Sequence, residues 1–226
     1  MSYTAIIFDL FGSLIDENPG AYSTMMDRVA RLLGVKVERL YEVSAADAPD
    51  RDLGVYDSVH QQFNVMCSRL GVSPSPDHIA AAIEEYVDLQ RLRLIPRAGV
   101  IETLVEIKAR GIQRGLITNT SQVVMDLWPN TVFPSHLDAS VLSADVKLRK
   151  PDPAIYLVAC NRLSVNPADC LYIGDGGANE LTGAANVGMT AVLIAPAYDD
   201  APALGTGRQS WGGTRITAIP EVLGLL

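Results

Sequence analysis

Apolar residues are distributed along this chain in two ways. Short apolar runs, rich in β-branched residues, break off abruptly at Thr4–Phe8 ahead of Asp9, Gly115–Asn119, Ala139–Leu142, Cys170–Asp175 and Thr190–Ile194. Continuous runs of this length read as strands buried on both faces, as in a parallel sheet. Between them the apolar residues return at helical spacing. Pro96-Arg97-Ala98-Gly99 opens a helix that carries Val100, Leu104 and Ile107 on one face and ends at Gly111; Pro153–Leu163 forms another. Strand–helix alternation predicts an α/β core, a parallel sheet with helices on both faces. Right-handed crossovers place the C-terminal ends of all strands on one edge, where open α/β sheets bind ligands. Asp9, Thr118-Asn119 and Asp175 are therefore expected to converge.

One stretch departs from the alternation. From Pro19 to Gln90 no strand pattern occurs, and Tyr22, Met25, Met26, Val29, Leu32 and Leu33 recur at helical spacing up to a stop at Gly34. Further helices are predicted near Tyr56–Leu70 and Pro76–Leu94, separated by Gly71-Val72-Ser73-Pro74. The division that follows is a core of residues 1–15 and 96–226 and a helical insert of residues 16–95, with hinges near Ile15–Asn18 and Ile95–Gly99. Met25 and Met26 read as packing within the insert, with contact to a substrate as the alternative. After Ala195 the tail is richer in Gly, Pro and Ala, and Gly212–Thr217 is expected to add an edge strand.

Composition narrows the function classes. Eighteen basic residues against 26 acidic ones give a net charge of −8 over 226 residues, with no basic cluster interleaved with aromatics. That balance argues against nucleic acid. No apolar run approaches the ~20 residues that span a bilayer. The N-terminal residues lack the pattern of a signal peptide, so the expected location is cytoplasmic. Cys67, Cys160 and Cys170 share no ligand spacing and read as buried thiols; His60, His78 and His136 are scattered. An acidic chain of this kind binds a small anion locally or through a metal.

Polar strand ends are individually weak signals, since an Asp after a strand is usually a turn or cap residue. Here they recur in order with a lysine between them. Phe8-Asp9-Leu10-Phe11-Gly12-Ser13-Leu14-Ile15-Asp16 resembles the first motif of the haloacid dehalogenase superfamily. Leu116-Ile117-Thr118-Asn119 resembles the second, Lys150-Pro151-Asp152-Pro153 the third and Gly174-Asp175-Gly176-Gly177-Ala178-Asn179-Glu180 the fourth. The resemblance spans essentially the whole chain and implies a Rossmann-like core with an inserted α-helical cap. It also implies an Asp9 nucleophile that forms a covalent intermediate, with Thr118 and Lys150 as its catalytic partners. Gly12, Thr118, Asn119 and Lys150 would hold the substrate. Mg²⁺ would sit on Asp9, the main-chain carbonyl of Phe11 and Asp175, with Glu180 contributing through water. A hard cation is the physical answer to a carboxylate attacking an anionic phosphate. Lys150 ahead of Pro151 suits the entry to a helix.

One position departs from the superfamily's phosphatases, which carry a second Asp two residues after the nucleophile; here it is Phe11. A phenyl ring moves no proton, and a general acid/base is worth about 10²–10⁴ in rate. An aromatic there is similar to the haloacid dehalogenases, whose halide leaving group needs no proton. Gly174-Asp175-Gly176 resembles the metal-binding version of the fourth motif, and Asp175 beside Asp9 without a cation costs ionisation energy. The expected function is accordingly a Mg²⁺-dependent phosphomonoester hydrolase for a small, anionic metabolite. The alternatives are a 2-haloacid dehalogenase-like hydrolase and a non-catalytic binding protein on the same scaffold. Asp16 is out of register for the missing acid and reads as a hinge residue. Arg51 and Arg91 are the cations that would meet an anionic substrate, set against ordinary solvated arginines.

Overall fold

The computed structural model describes residues 3–196 and 210–226. Strand β1 (Ala5–Phe8) leads into four insert helices, α1 (Pro19–Leu33), α2 (Val37–Asp52), α3 (Val59–Leu70) and α4 (Pro76–Arg93). The chain returns through α5 (Val100–Ala109), β2 (Gln113–Thr118), α6 (Gln122–Leu127), β3 (Ala139–Leu142) and α7 (Ser143–Val146). It continues with α8 (Pro153–Leu163), β4 (Cys170–Gly174), α9 (Glu180–Asn186), β5 (Thr190–Ile194) and β6 (Arg215–Ile216). The six strands form one parallel sheet in the order β3-β2-β1-β4-β5-β6.

β1 is the central strand, and its residues alternate between two apolar layers. Ile6 and Phe8 join Leu104, Ile107 and Val124 on one face; Ala5 and Ile7 join Ile155, Tyr156 and Leu163 on the other. All four β1 residues are fully buried. Burying each large side chain contributes roughly 1.5–3 kcal/mol, so both faces fix the register and with it the place where β1 ends. The chain runs outward through β2 and β3 and crosses back to β4. The ends of β1 and β4 therefore lie at the switch point of the sheet, where such folds open a crevice.

The insert has its own apolar cluster, built from Met25, Met26, Val29, Leu33, Leu40, Phe63 and Met66 among others. Helix α1 is delimited as its sequence suggests: Asn18 Oδ1 accepts from Ala21 N at 3.2 Å, Pro19 opens the first turn, and Gly34 closes the helix in the left-handed conformation. Helix α2 has no counterpart in the sequence reading. Its buried positions are Leu40, Val43, Asp47 and Asp52, so half of its buried face is carboxylate, and Pro49 lies inside it. Those acids are satisfied only in three dimensions, Asp47 by Arg69 and Tyr56 and Asp52 by Arg51 and Arg149.

Other boundaries shift by a few residues. Helix α3 begins at Val59 with Ser58 as cap, three residues later than expected, and β2 begins at Gln113. The edge strand expected at Gly212–Thr217 is limited to Arg215–Ile216. The Gly-, Pro- and Ala-rich stretch after Ala195 falls largely outside the described residues. Among those described, no helix is long and apolar enough to cross a membrane.

Two crossings join insert and core. Ile15 pairs with Pro96, Arg97 N donates to Leu14 O at 2.9 Å, and Arg97 Nη2 reaches Asp16 Oδ1 at 3.5 Å, so Asp16 bridges the two connecting segments. Further along, Ser143 Oγ donates to Asp52 O at 2.5 Å, and Tyr86 OH meets Ser121 Oγ at 3.4 Å.

Candidate active site

Asp9 follows directly on the central strand. Its N–H donates to Ile173 O at 2.8 Å, which carries the β1–β4 pairing one residue past the strand and brings Asp9 alongside the start of the Gly174-Asp175 turn. Asp9, Asp175 and Glu180 are all buried, and one carboxylate oxygen from each lies within 4.8 Å of the others. The side chains at strand ends that were far apart in sequence thus meet at one edge of the sheet.

Lys150 enters this cluster from the loop after α7. Its Nζ donates to Asp9 Oδ1 and to Glu180 Oε2, both at 2.5 Å, and lies 3.4 Å from Tyr172 OH. Burial alone would strip the proton from such a lysine, but Asp9 and Glu180 outweigh it and hold Lys150 as an ammonium well above its ordinary range. Asp9 is raised from its ordinary 3.8 to about 6, chiefly by burial, with Lys150 opposing and Asp175 adding to the shift. Glu180 is raised as well, by burial and by Asp9. Ser13 Oγ donates to the other Asp9 oxygen, Oδ2, at 3.2 Å.

Three of the expected site residues are engaged by groups within the protein. Glu180 uses both oxygens within the protein: Oε2 accepts from Lys150 and from Tyr172 OH at 2.8 Å, and Oε1 accepts from Gly176 N at 3.0 Å. Its placement is that of an outer carboxylate that fixes the lysine. Asn119 faces the loop of Lys150, accepting from Lys150 N at 2.8 Å and donating to Lys150 O at 3.3 Å; it positions the lysine's backbone. Thr118 is fully buried at the end of β2, with its hydroxyl 3.4 Å from Asn119 O. The helix entry after Lys150 also differs: Asp152 caps α8, Pro153 opens it, and the Lys150–Pro151 peptide bond is cis.

Gly12 and Gly174 keep the cluster compact. Gly12 has a φ of 78°, and a Cβ there would stand 2.5 Å from Asp175 Oδ2; a Cβ on Gly174 would run into Glu180 Oε1. Gly12→Ala therefore combines left-handed strain with displacement of Asp175. A displacement of this size is expected to cut kcat/KM about 100-fold, read by steady-state kinetics on the best substrate found. An unchanged value would mean that Asp175 has no fixed place in turnover.

The donor set fits a hard divalent cation. Asp9, Asp175 and Glu180 each bring one carboxylate oxygen within 4.8 Å of the others, an oxygen-rich set of the kind a hard ion takes, with Phe11 two residues after Asp9. From this cluster a cavity of about 510 Å³ extends between core and insert. Its core side includes Asp9, Asn119, Thr120, Lys150, Asp175 and Glu180; its insert side includes Tyr22, Met25, Met26, Phe63 and Met66. Met25 and Met26 thus serve both the insert's packing and the cavity wall. Arg51 lines the cavity, whereas Arg91 is exposed and paired with Asp88 at 2.8 Å. Arg93, which the sequence reading passed over, lines it in Arg91's stead, with its guanidinium 4.6 Å from the centre of the Phe11 ring. Ser13, Tyr172, Arg149 and Asp52 were also missed; only Arg149, adjacent to Lys150, and Ser13, inside the first motif, left a trace in the sequence.

Comparison with known proteins agrees with this geometry. The model of the haloacid dehalogenase-like hydrolases matches residues 3–188. A glyceraldehyde 3-phosphate phosphatase of Methanopyrus kandleri is 27% identical over 195 residues, covering 84% of this chain and 83% of that protein. An (S)-2-haloacid dehalogenase of Pseudomonas fluorescens is 27% identical over 199 residues, covering 83% and 82%. Among solved structures, a HAD phosphatase from Thermococcus onnurineus superposes with a TM-score of 0.66 at 22% identity, covering 100% of this chain and 97% of that one. The fold, the buried acidic cluster and the family match over most of the chain converge on one assignment: this chain is an enzyme of the haloacid dehalogenase-like hydrolases.

Proposed function

We propose that the chain is a Mg²⁺-dependent phosphomonoester hydrolase in which Asp9 is the nucleophile and residues 16–95 act as a cap over a small, anionic substrate. The observation that carries this reading is the second buried carboxylate. Asp175 next to Asp9 adds to the repulsion that raises Asp9, and an enzyme that attacked carbon without metal would have no use for it. The phosphatase names borne by relatives such as the Methanopyrus kandleri protein point the same way. Three buried, reduced cysteines fit the proposed cytoplasmic setting.

In this mechanism Asp9 attacks phosphorus and forms a P–O bond, while the bond to the leaving oxygen breaks and its electron pair departs with that oxygen, which takes a proton from water. Water then attacks the aspartyl phosphate, releasing inorganic phosphate and restoring the Asp9 carboxylate. Lys150 offsets the negative charge of nucleophile and phosphoryl group throughout, and Ser13 fixes the carboxylate's rotation. Glu180, Tyr172 and Asn119 hold Lys150 from three sides. Asp9, Asp175 and the Phe11 carbonyl would hold Mg²⁺, which would neutralise charge and polarise the phosphoryl oxygens. Phe11 leaves the position two residues after the nucleophile without an acid, which predicts slow turnover on esters with poor leaving groups.

Phosphate release from a panel of small phosphomonoesters, with Mg²⁺ and with chelator, tests this directly. Chelation is expected to lower release about 100-fold or more, and the response to leaving-group pKa should be steep. Phe11 favours one other reading, attack of Asp9 on carbon with release of halide. Chelator-insensitive halide release from 2-halo acids, with no phosphate release from any ester, would establish that chemistry and end the phosphatase proposal.

A further inference from the structure

The position that lacks the acid has acquired a different partner. Phe11 sits on the loop directly after the nucleophile, held by its bridge to Ile15, and the guanidinium of Arg93 lies 4.6 Å from its ring centre. Arg93 is the last residue of α4, so this contact joins insert to core at the wall of the cavity. The Nε of Arg93 is buried with no hydrogen-bond partner. Burial lowers its pKa, and the charges that face it are mixed: Glu17 favours the cation together with Tyr86 and Tyr22, while Arg51 opposes it. The remaining cations differ. Asp52 serves both Arg51, at 3.8 Å, and Arg149, at 3.3 Å, and Lys150 is engaged by Asp9 and Glu180.

A guanidinium laid against an aromatic face keeps its edge free for planar, bidentate contact with an anion. Phosphate bound over Asp9 is matched by Lys150, which leaves Arg93 to meet a second negative group on the same molecule. We propose that Arg93, seated on Phe11, is the specificity-determining residue for a carboxylate carried by the substrate, so that the preferred ligands are organophosphates bearing a carboxylate. Phe11 then serves recognition: its ring holds the guanidinium where a second acid would otherwise stand. This assignment rests on the phosphate reading of the core site, and the two are separable by experiment.

Non-hydrolysable ω-phosphonocarboxylates of increasing chain length, each paired with the alkylphosphonate of matching length, are titrated calorimetrically into the full-length protein with Mg²⁺. At the best length the carboxylate is expected to tighten binding about tenfold or more, because a desolvated charge-assisted pair replaces a buried donor without a partner. Arg93→Gln should erase that difference, and Arg93→Lys should recover only part of it. Phe11→Leu, which keeps an apolar side chain but removes the ring face, should reduce it severalfold. Arg91→Gln, on the exposed side of the same helix, serves as control and should preserve it. Equal affinity of the two ligands at every length, or a difference that survives Arg93→Gln, overturns the proposal while leaving the phosphate reading intact. Absence of binding by both ligand series overturns the two together.

Discussion

Asp9→Asn should abolish turnover, by about four orders of magnitude or more, and at the same time make the metal-free protein more stable. The first effect is the loss of the nucleophile. The second follows from charge: Asp9 and Glu180 share the Lys150 ammonium, Asp175 adds to the repulsion on Asp9, and the mutation removes one of these acids. Linkage gives the pH dependence its sign. The folded-state pKa of Asp9, about 6, lies above its ordinary 3.8, so the folded protein holds a proton that the unfolded chain has released. The stability this provides is complete below pH ~4 and is lost as pH rises through ~6. A shift of this size corresponds to an upper limit of about 3 kcal/mol. In chelator, the advantage of Asp9→Asn over the parent should therefore be near zero at pH ~4 and grow to several degrees in Tm by pH ~7. Added Mg²⁺ should narrow the gap by stabilising the parent. A variant less stable than the parent at every pH would show that the Lys150 pairing outweighs the repulsion among the acids.

Lys150→Met should act in the opposite direction on stability and remove most activity. Lys150 is 4% exposed and its ammonium is the common partner of Asp9 and Glu180. Removing one member of a buried ion pair costs roughly 3–5 kcal/mol, because the acids left behind have neither water nor a counter-charge. Protonation offers a partial escape. Asp9 and Glu180 are already raised, and without the lysine both should rise further. The deficit measured by urea unfolding should accordingly shrink as pH falls towards ~6, because the orphaned Asp9 takes up its proton at higher pH than in the parent. A double variant, Lys150→Met with Glu180→Gln, should be more stable than the sum of the single changes, by roughly 0.5–3 kcal/mol of coupling. Strict additivity would place Glu180 outside the lysine's network and return it to the role of a metal contributor.

Much of the core was readable from the letters. β1, β3, β4 and β5 are short apolar runs because both faces of a parallel sheet are buried, and that burial leaves a pattern of composition. Their abrupt polar ends located Asp9 and Asp175, and the helical spacing of Tyr22 to Leu33 located α1. Helix α2 stayed hidden because its buried positions include Asp47 and Asp52, which pair with Arg69 in α3 and with Arg149 beyond α7 as well as with nearer residues. Periodicity records hydrophobicity; it does not record an acid that finds an arginine across the fold.

The same distinction runs through the site. Sequence by itself determined which residues stand at the strand ends, that an acidic pair and a lysine are available, and that a helical insert follows the nucleophile. These are local facts, written by burial and by motif spacing. Only the tertiary structure decided what each group touches. It turned Asn119 toward the backbone of Lys150 and closed Glu180 onto Lys150, Tyr172 and Gly176. Arg91 and Arg93 are two residues apart, roughly 200° around a helix. The packing of α4 against the core sends Arg91 to solvent and Arg93 onto Phe11. No local signal in the chain separates those two arginines, because the choice between them depends on how the insert docks.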